Sequence, residues 1–100
     1  VARRGEICGA LAGAVMVLGF LKGRAPGEGR EAKDRAYQLA AQVVEAFRGR
    51  FGDVSCRALI GIDLTSPEGR ETFEREDVHN KLCVEYVAEA ARLAHDAIRP

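Results

Sequence analysis

The sequence predicts a small all-α protein, a bundle of about four to five helices with a glycine-rich, buried first helix. Three observations carry that expectation. No stretch alternates apolar and polar residues for long enough to form a strand. Arg30 to Arg50 repeats its apolar residues at helical spacing, and cap-type residues punctuate the chain at Ser55, Ser66 and Asn80. One hundred residues support one core, so residues 1–100 read as a single domain. Apolar residues at 47% with three prolines describe a folded chain rather than a disordered one.

The first element is Ile7 to Leu21, fifteen uninterrupted apolar residues that include Gly9, Gly13 and Gly19. It falls short of the ~20 residues a bilayer span needs, and basic residues flank it, so it reads as a buried central helix without membrane insertion. The glycines read as close-packing positions, and Gly9 as leaving room beside Cys8. Lys22 to Gly29, with three glycines and a proline, breaks this helix.

Arg30 to Arg50 follows as an amphipathic helix. Ala32, Ala36, Leu39, Ala40, Val43, Phe47 and Phe51 form its stripe, and Gly52 is its expected left-handed C-cap. Asp53 or Ser55 then caps a short helix from Cys56 to Ile60, ended by Gly61. Ala58 to Leu64 is the one apolar stretch with partly extended character. Two starts compete for the next helix, which runs to about Asp77 with Phe73 as its anchor. One is a capping box of Thr65 with Glu68, the other Ser66 followed by Pro67. Asn80 is the expected cap of the last helix, Lys81 to Ile98. Its stripe is Cys83, Val87, Ala90, Ala94 and Ala97, joined by Leu82, Tyr86, Leu93 and Ile98.

Charge narrows the function classes. Fifteen basic and fifteen acidic side chains cancel, so no net field recruits nucleic acid or an anionic membrane. Copies also repel one another weakly, which favours a homodimer. The chain has no serine–histidine–acid pattern, no phosphate-binding loop and no G-x-G-x-x-G after a strand. Hydrolase, kinase and dinucleotide-enzyme readings are therefore unsupported.

The cysteines carry the remaining chemistry. Their odd number, three, fits a reducing cytoplasmic setting better than a secreted disulfide scaffold. Cys8, Cys56 and Cys83 each fall within the first turn of an expected helix. Unpaired N–H groups and the positive end of the helix dipole there favour thiolate over thiol. Three such thiols suit one shared anionic site if the helix starts converge. The competing reading makes them small core hydrophobes, Cys83 above all because it lies on an apolar stripe. There is no C-x-x-C pair, and separations of 48 and 27 residues match neither a zinc ribbon nor a ferredoxin run, so any site is assembled by the tertiary fold.

Other polar residues have structural readings. His79 reads as a solvated residue before the last cap, His95 as a cation favoured near a helix end, and Asp63 as a turn former. The Arg3-Arg4 and Arg48/Arg50 pairs read as helix-end charge. The opening Val1-Ala-Arg-Arg-Gly5 has no signal-peptide pattern and reads as the continuation of an upstream segment.

Gly5-Glu-Ile-Cys8-Gly9-Ala10-Leu-Ala-Gly13-Ala-Val-Met-Val-Leu-Gly19 resembles the C-G-A-x-x-G segment of the redox-active C_GCAxxG_C_C family. The likeness continues at Phe51-Gly52, Cys56-Arg-Ala-Leu-Ile-Gly61-Ile-Asp63-Leu64 and Pro67-Glu-Gly69, and ends at Cys83, covering essentially the whole chain. The family's members are small, mostly helical bacterial and archaeal proteins with four cysteines, related to a domain of split-Soret cytochrome c associated with an iron–sulfur centre. The resemblance implies a redox role for Cys8, Cys56 and Cys83, as a thiol/disulfide site or as ligands of an iron–sulfur cluster or other thiolate-bound metal. Cys8 and Cys56 would be the core pair and Cys83 the third thiolate or resolving thiol, working with a redox partner protein. The family's first cysteine lies upstream of the C-G-A-x-x-G segment, so a four-thiolate site is not completed by these residues alone. The reading from a different class is a homodimeric structural or interaction module whose cysteines are core residues.

Overall fold

The computed structural model describes residues 2–23 and 27–99 and is all-helical. Its elements are α1 (Gly9–Lys22), α2 (Arg30–Phe51), α3 (Cys56–Ile60), α4 (Pro67–Arg75), a π-helical turn (His79–Cys83) and α5 (Val84–Ile98). The break expected over Lys22 to Gly29 includes residues 24–26, which lie outside the described residues, as does Val1. α1 packs against α2 and α5, and α2 against α5. Cys8 before α1, Phe51 at the end of α2 and Tyr86 in the first turn of α5 gather at one end. The first and last helices therefore run in the same sense and α2 runs against them.

Local signals fix most boundaries. Gly52 ends α2 in the left-handed region at φ 89°, where a Cβ would be strained, and its N–H bonds the Arg48 carbonyl at 2.6 Å. Ser55 Oγ caps α3 by accepting the Ala58 N–H, and Gly61 closes it at φ 70°. Between the two possible starts of α4, Ser66 and Pro67 hold. Ser66 Oγ accepts the Gly69 N–H at 2.9 Å, and the helix ends at Arg75. Asp63 is a turn former: its carboxylate accepts the Thr65 N–H at 2.9 Å.

Two elements depart from expectation. α1 is buried on one face only, through Leu11, Ala14 and Leu18, while Met16 and Phe20 are 74% and 88% exposed. A Cβ placed on Gly9, Gly13 or Gly19 would meet nothing within 4 Å, so these glycines are not close-packing positions. A helix that is apolar all round carries no polar residues to mark its outer side, which is why its sequence reads as fully buried.

The last helix starts earlier than Asn80. Asp77, at φ 53°, turns the chain, its carbonyl accepts the Lys81 N–H at 3.1 Å, and its carboxylate accepts the Asn80 amide at 2.9 Å. Asn80 therefore lies inside the π turn rather than capping α5. Val87 is half exposed, and the buried stripe of α5 runs through Tyr86, Ala90 and Ala94. The core they build with Leu11, Leu18, Val43 and Phe47 is supplied by side chains worth about 1.5–3 kcal/mol each when fully buried.

Candidate functional site

The end of the bundle where α1 begins holds all three cysteines. An isolated antiparallel bridge between Ile7 and Ser55 joins the segment before α1 to the segment before α3. The Cys8 N–H bonds the Val54 carbonyl at 2.8 Å, and the Cys56 N–H bonds the Glu6 carbonyl at 2.6 Å. One residue further, the Arg57 N–H and the Ser55 hydroxyl both donate to the Gly5 carbonyl, at 3.1 and 3.0 Å. Gly5 permits this approach: it is buried at φ 75°, and a Cβ there would come within 3.2 Å of the Arg57 side chain. Asp53 shapes the other side. Its carboxylate accepts the Ser55 and Val54 N–H groups at 2.8 and 2.6 Å, and those bonds, Ser55 first, hold it below the usual carboxylate range.

Pairing of Ile7 with Ser55 has a consequence for the thiols. Cys8 stands opposite Val54 and Cys56 opposite Glu6, so both cysteines fall on the same side of the bridge, two rungs apart. Such diagonal neighbours have Cα atoms about 7–8 Å apart. A disulfide usually needs less than about 7 Å, so joining these two requires the bridge to shift. All three cysteines are free thiols, Cys8 buried and Cys56 and Cys83 half-buried.

The helix-start expectation holds unevenly. Cys56 is the first residue of α3, but Cys8 is the N-cap residue of α1 itself, and Cys83 closes the π turn, a full turn inside its helix. The expected lowering of thiol pKa is overturned at two positions. Burial pushes the Cys56 thiol up, with Cys8 adding to the rise, and it pushes Cys83 up, with Cys56 and Cys8 adding to that rise. Five-residue α3 offers little dipole, and lost hydration outweighs it.

Tyr86 is the participant that reading from sequence missed. Burial, then Cys83 and Cys8, raise its phenol above the ordinary tyrosine range. Its hydroxyl donates to the Leu59 carbonyl at 2.8 Å, fastening α5 to α3, and its ring meets Phe51 edge-on at 4.8 Å. The available signal was its place three residues after Cys83 in an otherwise aliphatic and alanine stripe, where a polar-tipped ring needs a partner.

The remaining candidates are exposed at the surface. His79 is exposed, and His95 is exposed with Nδ1 3.5 Å from the Asp96 carboxylate. Arg48 pairs with Glu45 at 2.7 Å, and Arg3 and Arg4 are exposed. Among the described residues no group of three or more His, Cys, Asp or Glu side chains is arranged to hold a metal ion, so the three thiols as placed do not form a chelating set. Among the described residues no helix is long and apolar enough to cross a membrane.

The model of the family described as "Putative redox-active protein (C_GCAxxG_C_C)" matches residues 1–97. No curated protein and no solved structure matches the chain. With nearly the whole chain covered, and with the Cys8, Cys56 and Cys83 segments meeting at one end of the bundle, the chain belongs to the C_GCAxxG_C_C family.

Proposed function

We propose that this chain is a thiol-based redox module, working in a reducing cytoplasm with a partner that carries a disulfide. The observation that carries this reading is the single Ile7–Ser55 bridge, whose two flanking hydrogen bonds are made by the Cys8 and Cys56 N–H groups. Cys56, half-buried, is the thiol a partner reaches first, and Cys8, in the core, is the thiol that resolves. The Cys56 thiolate attacks one sulfur of the partner disulfide, and the other sulfur leaves as a thiolate and takes up a proton. Cys8, after losing its proton, then attacks the Cys56 sulfur and releases the second partner thiol. Two protein thiols become one disulfide, and the partner disulfide becomes two thiols. Because diagonal neighbours across such a bridge have Cα atoms about 7–8 Å apart, the second step opens the Ile7–Ser55 bridge.

The iron–sulfur or metal form that the resemblance implies would draw on the same three thiols. As placed they do not chelate, so no step is assigned to a metal.

The test is differential alkylation of the folded chain after equilibration in buffers of graded thiol/disulfide poise, with iron and sulfide analysis of anaerobically purified protein. Expected is an intramolecular Cys8–Cys56 disulfide that forms and reverses with the poise and is lost in Cys56→Ser, while Cys83→Ala keeps it. Three thiols that stay reduced at every poise, in protein free of iron, would sink the proposal and leave the cysteines as core residues. Stoichiometric iron and sulfide would replace the disulfide step with a cluster.

A further inference from the structure

A groove of about 590 Å³ runs between α1 and α5. Gly9, Gly13 and Val17 lie on one wall, Val87, Ala91 and His95 on the other. Beside it, Gly9, Gly13, Met16 and Phe20 stand in one line along α1, at spacings of four, three and four, on the side opposite Leu11. No residue from Gly9 to Leu21 is charged. Phe20 is 88% exposed, Met16 74%, Val87 54% and Val17 46%.

The chain exposes more surface than its mass requires. A compact monomer of 10.8 kDa has about 5,500 Å² of accessible surface. This chain has 6731 Å² and a radius of gyration of 15.4 Å, against about 13 Å for a compact hundred-residue domain. The surplus is about 1,200 Å² per chain, or about 2,400 Å² over a pair, in the size range of homodimer interfaces.

We propose that a second copy of this chain covers the α1–α5 face, the two copies packing their α1 helices antiparallel about a twofold axis. Twofold packing makes residue i meet residue j and residue j meet residue i. With the axis midway along the line, Gly9 meets Phe20 of the second copy and Gly13 meets Met16 of the second copy. Both contacts set a large side chain against a position where a Cβ meets nothing within 4 Å in the single chain. Parallel packing would set Phe20 against Phe20 and leave glycine against glycine. Small-to-large pairing at both ends also lets the helix axes come close, and a net charge of zero leaves little repulsion to oppose it. The end of α1 of the second copy then lies over Gly9, beside the bridge that carries Cys8.

Sedimentation equilibrium across a concentration series tests this, with the thiols kept reduced so that the readout is independent of the disulfide proposal. Expected is a reversible species of twice the 10.8 kDa chain mass. Gly13→Leu, which meets open space within one chain, and Phe20→Glu should each shift it to monomer with unchanged helical circular dichroism. Gly13→Leu combined with Met16→Ala exchanges the large and small partners and should restore the dimer. A wild-type chain that stays monomeric throughout, or a dimer that survives both single substitutions, overturns the proposal. Failure of the double variant to re-form a dimer overturns the antiparallel pairing.

Discussion

The first two helices of the bundle differ in how they spend their apolar residues. α2 carries a stripe from Ala32 to Phe51 with charged residues on its other sides, and it buries Ala32, Val43 and Phe47 along that stripe. α1 is apolar at every position from Gly9 to Leu21 and buries only Leu11, Ala14 and Leu18. The contrast teaches that an apolar position is a statement about what a residue can contact. Whether it is covered depends on the neighbours the fold supplies, and one chain supplies α1 with neighbours on one side only.

The sharpest way to break that contrast is to remove one large side chain from each helix. Phe47, fully buried in α2, should cost about 3–5 kcal/mol when changed to alanine. Phe20 in α1, though equally large, should change stability by no more than about 0.5 kcal/mol in dilute solution. Urea unfolding followed by circular dichroism measures both, and equal losses would show that α1 is covered within one chain.

A smaller effect separates the glycines of the two helices. Gly52→Ala, at the left-handed C-cap of α2, should destabilise by about 1–2 kcal/mol. Gly19→Ala sits in helical backbone with open space around it and should stabilise by about 0.5–1 kcal/mol. The opposite signs, read as shifts in urea midpoint, test whether each glycine serves backbone conformation or merely occupies a solvent-facing position.

The gentlest probe is pH, at the end where α1 meets α5. Burial raises the Cys56 and Cys83 thiols, so the folded chain holds those protons longer than the unfolded chain. Their contribution to stability is complete below the ordinary cysteine value of about 8.5 and is lost as pH rises through the higher folded values. Urea midpoints should fall above that pH, and the fall should flatten in the Cys56→Ala/Cys83→Ala variant.

Short-range signals made much of the fold readable in advance. Gly52, Ser55, Gly61 and the Ser66-Pro67 pair act through bonds within four residues, and the structure uses them as the sequence suggests. The Ile7–Ser55 bridge joins segments 48 residues apart and leaves no local trace, since the five residues around Ile7 neither alternate nor carry a turn pair. The placement of the cysteines was approachable only through family resemblance, because separations of 48 and 27 residues specify no geometry by themselves. Helix-start position was a poor guide to thiol acidity: burial is a property of the assembled bundle and it outweighs the local dipole at Cys56.

The π turn has an arithmetic consequence for the last helix. Val78 is buried, yet it precedes Ala90 by twelve residues, and twelve steps of 100° leave it about 120° away from Ala90 around a regular α-helix. Between His79 and Cys83 the helix takes up one residue more than an α-turn, with the Val84 N–H reaching back to the His79 carbonyl. That single extra residue acts as a phase correction: eleven effective steps bring Val78 to within about 20° of Ala90. One inserted position thus brings a residue buried before the turn into phase with the buried stripe after it, and Cys83 closes the turn where the two are brought into line.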